Sequence, residues 1–251
     1  MNKFCDSHAH LTSEEVLPIL PQLLERARLA GVDRIINICT CPETLRQGIE
    51  HKLINAGATT PHDVEKDGEK DFPVFEAAAK DLVAIGETGL DYHYEHSDRK
   101  VQQKFLVRYL HLATRMKKPV IFHCREAFDD LFAIVDGEYP KGAPAILHCF
   151  TGTMQEAEEV WKRGWYLSLS GIVTYKKSEA LREVAKVAPL KQLLIETDTP
   201  YLAPQTKRGK QNEPSFMVET AVCIAAVRGA SLEEIGKATR QNAIDVFGLF
   251  D

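Results

Sequence analysis

The chain has 251 residues, 44% of them hydrophobic and 27% charged, and carries a formal net charge of −5 at pH 7. This length suits one large α/β barrel, and the absence of any Ser/Gly-rich or Pro-rich linker argues against a disordered or low-complexity protein. The acidic balance argues against holding nucleic acid by bulk charge alone, but not against a nuclease that handles phosphates with metal ions and a few local bases.

Short apolar runs alternate with stretches of helical periodicity along the whole chain, the pattern of successive βα units and a parallel sheet. Strands are predicted over residues 3–7, 34–39, 56–60, 82–87, 120–123, 145–148, 166–170 and 193–196. The third lacks a clear apolar run. Helices are predicted over residues 14–30, 44–55, 74–80, 98–116, 127–138, 155–163 and 179–187. From Phe216 the chain reads helical to its end, broken at Gly229-Ala230-Ser231, with Ser231 as an N-cap followed three residues later by Glu234. Eight strands without a long linker predict a single (β/α)8 TIM barrel domain over residues 1–251. No G-x-G-x-x-G follows the first strand, so an open dinucleotide-binding sheet is the weaker reading.

No apolar run approaches the ~20 residues needed to span a bilayer, and the N-terminus lacks a signal-peptide layout, so a cytoplasmic protein is expected. The six cysteines form no C-x-x-C pair, which fits a reducing compartment and small core residues.

Residues able to bind metal recur at the predicted strand ends: His8 and His10, then Glu87, His123, His148 and Asp198. In a parallel barrel all strand C-termini lie on one face, so these six would converge in one bowl. Four imidazoles and two carboxylates suit Zn²⁺ and also accept Mn²⁺ or Mg²⁺. Six ligands are too many for one catalytic ion with an open position. Two divalent ions sharing a carboxylate, ~4 Å apart, would clamp a phosphoryl group and activate water.

The motifs Asp6-Ser7-His8-Ala9-His10-Leu11, Gly86-Glu87-Thr88-Gly89-Leu90-Asp91-Tyr92, His123-Cys124-Arg125, His148-Cys149-Phe150-Thr151-Gly152 and Glu196-Thr197-Asp198-Thr199-Pro200-Tyr201-Leu202 occur in this order, followed by Arg208-Gly209-Lys210-Gln211-Asn212-Glu213-Pro214. Together they resemble the TatD family of metal-dependent deoxyribonucleases, within the amidohydrolase superfamily. The resemblance implies that His8, His10, Glu87 and Asp198 bind one metal, and that Glu87 bridges to a second held by His123 and His148. It also implies hydrolysis of DNA phosphodiester bonds by a two-metal-activated water, as a 3′→5′ exonuclease, with Glu87 and Asp198 catalytic. The implied partner is DNA, with single-stranded ends as the expected form; no membrane and no stable protein partner are implied. The segment Gly57-Ala58-Thr59-Thr60-Pro61-His62 departs from the family's G-x-H-P-H run, since Thr60 replaces the first histidine.

Strand alternation suggests that Asp6 lies beneath His8 and Glu196 beneath Asp198, each carboxylate accepting an N–H from a metal-bound imidazole. Arg125, one step outward from His123, is a candidate for a bidentate phosphate contact. Lys210, in the basic cluster Lys207-Arg208-Gly209-Lys210, and Tyr92 and His62 on the rim are further substrate-binding candidates. The same metal site would also serve a deacylase or esterase acting on a small molecule or an aminoacyl-tRNA, because fold and ligands alone do not choose the bond.

Overall fold

A computed structural model describes residues 3–250. Eight parallel strands pair strictly in sequence order: β1 (Phe4–Ala9), β2 (Val32–Cys39), β3 (Ile54–Gly57), β4 (Ile85–Asp91), β5 (Val120–Arg125), β6 (Ala145–Leu147), β7 (Tyr166–Leu169) and β8 (Leu193–Ile195). The circle closes just beyond β8. His10 N–H donates to Thr199 O at 2.8 Å, and Asp198 N–H to His8 O at 2.9 Å. Between strands run α1 (Leu20–Leu29), α2 (Pro42–Glu50), α3 (Val64–Ala78), α4 (Arg99–Met116), α5 (Phe128–Glu138), α6 (Met154–Lys162) and α7 (Glu179–Val187), followed by α8 (Met217–Arg228) and α9 (Leu232–Phe247). The Ser231 hydroxyl caps α9 by accepting from Glu234 N–H at 3.1 Å.

The apolar residues form two main layers. The larger lies between sheet and helices and includes Phe75, Phe105, Leu106, Tyr109, Phe122 and Trp165. The smaller collects Cys5, Ile36, Ile38, Ala56, Ala84, Ile121, Ile146 and Leu194 from the strands and their edges, packed on Ala243, Val246 and Phe247 of α9. Most of these are inward side chains toward the N-terminal end of the barrel, which the last turns of α9 plug, while Ile38 reaches up to the cavity at the other end. Two residues above Ile121, Ile146 and Leu194, alternation places His123, His148 and Glu196 on the same inner face. In β1 and β4 the parity changes on the way up, from Cys5 to His8 and from Ala84 to Glu87. Both changes fall where pairing shifts register, between Asp6 and Ala9 and between Ile85 and Thr88.

Several elements differ from the sequence reading: α1 starts at Leu20 and not at 14, α2 ends at Glu50 and not at 55, β3 runs over Ile54–Gly57 and not 56–60, and the fourth strand and third helix shift most. The fourth strand starts at Ile85 and ends at Asp91, not over 82–87, so Glu87 sits inside the strand. The apolar Leu82-Val83-Ala84 that suggested the earlier start is the approach to the strand, and Leu82 and Ala84 there are buried. The third helix begins at Val64, ten residues before the predicted start, because its first turns are a charged run whose buried face is carried by Val64, Gly68, Asp71 and Phe72. Among the described residues no single helix is long and apolar enough to cross a membrane, and all six cysteines are free.

Candidate metal centre

A cavity of about 760 Å³ opens at the C-terminal ends of the strands, and His10, Thr40, His62, Glu87, Tyr94, His123, Arg125, His148, Asp198 and Tyr201 are among the residues that line it. Glu87 is at its centre. Its Oε1 lies 2.8 Å from His123 Nδ1 and 2.9 Å from His148 Nε2. Its Oε2 faces the other way, 3.4 Å from His8 Nε2 and 3.8 Å from His10 Nε2. Asp198 Oδ1 completes that side, 3.4 Å from His10 Nε2 and 3.7 Å from His8 Nε2. The structure thus brings all six predicted ligands together, with one carboxylate divided between two pairs of imidazoles.

A cation fits this donor set. Both ring nitrogens of His8 are buried without a hydrogen-bond partner, a costly state for a group whose ring also stacks on His148 at 3.9 Å between centroids. Two groups of ligand atoms are close enough to surround an ion: His8, His10 and Asp198, and His8, Glu87 and His148. A third, His62, Asp91 and His123, lies beside them.

The electrostatics follow from burial and mutual contact. Burial alone would raise the Glu87 carboxyl, but His148, His123 and His8 outweigh it and hold it well below the ordinary carboxylate range. Burial opposes charge on His148, yet Glu87 and Glu196 raise its pKa well above the usual imidazole value. His8 goes the other way, lowered by burial and by the neighbouring His148. Asp198 is lowered despite burial, through His10 and His8. Its backbone adopts φ of +60°, a region uncommon for residues other than glycine and one where strain tends to persist at functional sites.

The supporting carboxylates divide. Glu196 Oε1 lies 3.3 Å from His148 Nδ1 and accepts from Cys149 N–H at 2.7 Å, as the expectation of a carboxylate behind an imidazole requires. Asp6 does something else. Its Oδ1 accepts from Thr197 N–H at 2.9 Å and its Oδ2 from the Thr197 hydroxyl at 2.6 Å, so it clips β1 to the chain after β8 and holds no imidazole. The register shift between Asp6 and Ala9 is why the alternation rule failed there.

The rim candidates also separate. Arg125 and His62 line the cavity, with the Arg125 guanidinium 4.8 Å over the Tyr94 ring. Tyr92 turns outward, because its neighbour Asp91 faces in; its hydroxyl donates to Asp130 at 2.7 Å and accepts from Gln103 at 2.8 Å. Lys210 is exposed and does not line the cavity, while Lys207 pairs with Glu219 at 3.7 Å and Arg208 lies 4.4 Å over the Tyr175 ring. Sequence reasoning missed Asp91 as a site residue: its Oδ2 is 2.8 Å from His123 Nε2. The signal was present, since Glu87, Gly89 and Asp91 alternate along one face of β4. Gly89 has φ of +150°, and a Cβ there would lie 1.9 Å from the His123 carbonyl oxygen, so only glycine lets the two strands approach.

Fold and bowl together define a (β/α)8 barrel with a histidine–carboxylate cluster at the strand C-termini. The E. coli phosphotriesterase homology protein shares that fold, with a TM-score of 0.68 at 11% identity. The chain belongs to the TatD related DNase family, whose model matches residues 5–248. It is 36% identical over 249 residues to YabD of Bacillus subtilis, an uncharacterized metal-dependent hydrolase, covering 96% of this chain and 98% of that one. It is 34% identical over 259 residues to the 3′-5′ ssDNA/RNA exonuclease TatD of Citrobacter rodentium, covering 97% of each. The crystal structure of YjjV, a TatD homologue from E. coli, superposes with a TM-score of 0.92 at 28% identity over 98% of both chains.

Proposed function

We propose that this protein is a metal-dependent phosphodiesterase that removes nucleotides from the 3′ end of DNA, single strands above all, using two divalent ions (Zn²⁺, Mn²⁺ or Mg²⁺). The observation that carries the reading is the division of Glu87, with Oε1 toward His123 and His148 and Oε2 toward His8 and His10. Relatives named as a metal-dependent hydrolase and as a 3′-5′ exonuclease support the same class.

His8, His10, Asp198 and Glu87 Oε2 would hold one ion, and His123 Nδ1, His148 Nε2 and Glu87 Oε1 the other. Ions so placed supply Lewis-acid charge at the phosphoryl oxygens and make water more acidic. Asp198, ionised and on the cavity wall, would take the proton that the attacking water gives up. Arg125, on the wall of the same cavity, presents a planar pair of N–H donors that matches a phosphate edge. Its stacking on Tyr94 restricts the guanidinium before substrate arrives. In the basic loop Lys207 is paired with Glu219, while Arg208 stacks on Tyr175 and keeps its charge.

The test is degradation of oligodeoxynucleotides labelled at either end, single- and double-stranded, by protein loaded with each metal, with and without chelator. An ester and amide panel runs in parallel. The expected result is chelator-sensitive loss of the 3′ label first. Intact DNA alongside cleaved ester or amide would overturn the assignment in favour of the deacylase reading.

A further inference from the structure

We infer that Asp91 is a positioning residue that fixes the tautomer of His123, so that Nδ1 and not Nε2 is presented to the second cation position. The inference deepens the two-ion reading and rests on it. Asp91 is the last residue of β4 and its side chain is 1% exposed. Oδ1 accepts two backbone N–H groups, from His93 at 3.0 Å and Tyr94 at 2.8 Å. Oδ2 is left for His123 Nε2 at 2.8 Å. An ionised carboxylate can only accept, so without a metal both Asp91 and Glu87 Oε1 call for a proton on His123; once a cation takes the place of the Nδ1 proton, Asp91 keeps the remaining proton on Nε2 and leaves the lone pair at Nδ1. That nitrogen is the one facing Glu87 Oε1, and it lies 3.4 Å from His148 Nε2.

The carboxylate cannot easily turn away. Gln102 of α4 clamps the backbone of Asp91 from both sides, accepting from its N–H at 2.7 Å and donating to its carbonyl at 3.0 Å. His62 Nε2 is 3.6 Å from Oδ2, outside hydrogen-bonding distance, so it does not compete for that oxygen. The same carboxyl group therefore joins the second cation position to the backbone of the rim residue Tyr94, against which Arg125 stacks.

Asp91→Asn separates this role from simple packing. The two backbone N–H groups keep the amide oxygen in the Oδ1 place, which turns the amide N–H₂ toward His123. A donor there selects the opposite tautomer, with the proton on Nδ1, the atom meant to ligate. The experiment measures the tautomer by imidazole nitrogen NMR on protein loaded with Zn²⁺, where the cation has replaced the Nδ1 proton, with the His123 signal assigned by loss in His123→Gln. Zn²⁺ titration of wild type and Asp91→Asn runs alongside. Wild type should show the Nε2–H form and take up two ions. Asp91→Asn should invert the tautomer and bind the second ion about 10–100-fold more weakly, leaving the first unchanged. An Nδ1–H tautomer in the wild type overturns the inference without any variant, and so does Asp91→Asn with full affinity for both ions. A wild type that binds only one ion sinks the two-ion reading instead, and the tautomer measurement still decides the role of Asp91.

Discussion

Asp6 and Thr197, 191 positions apart, close the barrel: the carboxylate of Asp6 accepts both the backbone N–H and the hydroxyl of Thr197 across the junction between first and last strands. Parallel strands at this junction share few backbone bonds, since β8 ends at Ile195, and the side chain supplies what the ladder lacks. Asp6→Ala should cost about 2–4 kcal/mol in denaturant unfolding, because it leaves a buried N–H and a buried hydroxyl to find other partners. A loss below about 0.5 kcal/mol would mean that the seam is held elsewhere.

The same residue sets a pH dependence whose sign is opposite to that of an ion-paired carboxylate. Burial raises the Asp6 pKa to about 7, against the hydrogen bonds from Thr197 that lower it. An acid whose folded pKa lies above its unfolded value contributes stability that is complete below about pH 4 and lost as pH rises through about 7. Asp6→Asn keeps an acceptor for the Thr197 N–H and removes the titration. The stability of wild type relative to Asp6→Asn, in metal-free protein, should therefore fall between about pH 4 and 7. A difference that stays flat, or rises, contradicts the assignment.

Much of the centre was legible because its residues obey a simple rule: side chains near strand ends of a parallel barrel share one bowl. His123, His148 and Asp198 follow that rule directly, each on the same parity as an apolar residue deeper in its strand. Glu196 was found by the same parity. What stayed hidden depended on irregular pairing. His8 and Glu87 were named from their strand-end positions, but the shifts in β1 and β4 that turn them inward above Cys5 and Ala84 were not visible, and it is that irregularity which misplaced Asp6. Asp6 looked like an imidazole partner because sequence spacing cannot show whether a carboxylate meets its own strand's neighbour or the one across the seam. Tyr92 and Lys210 were chosen because they follow strand ends on the bowl side, and that position does not say which way a side chain or a loop turns.

Glu87 and His10 should differ in what their loss removes. On the two-ion reading, Glu87→Gln is expected to weaken both cation positions, since one carboxylate oxygen faces His123 and His148 and the other His8 and His10, while His10→Ala should empty only the position shared with His8 and Asp198. Metal content after dialysis against Zn²⁺ distinguishes them. Activity should drop by more than about a hundredfold in each, beyond what loss of an outer partner costs. Equal metal loss in the two variants would argue that the centre is a single indivisible site.

Metal uptake should release protons. In the metal-free chain His148 holds a proton to well above the usual imidazole pKa, stabilised by Glu87 and Glu196 in spite of burial. With its folded pKa raised, that pair's contribution to stability is complete below about pH 6.5 and fades as pH rises through the folded value. A divalent ion must displace that proton, so Zn²⁺ affinity should increase with pH through the neutral range. Calorimetric titration in buffers of different ionisation enthalpy reads the proton count, and a heat independent of buffer would show that His148 is already neutral.

Arg125 offers the clearest separation of substrate binding from chemistry. Its guanidinium is on the cavity wall but is absent from the hydrogen-bonded cluster around Glu87, so its loss should leave metal content intact. Arg125→Ala is expected to raise KM for oligodeoxynucleotides by about tenfold or more, with Arg125→Lys restoring only part, since an ammonium keeps the charge but not the planar pair of donors. Stacking on Tyr94 predicts a smaller effect in the same direction for Tyr94→Ala, which frees the guanidinium without removing it. If Arg125→Ala lowered kcat alone at unchanged KM, the side chain would be acting at the reacting phosphate in the transition state and not in holding the strand.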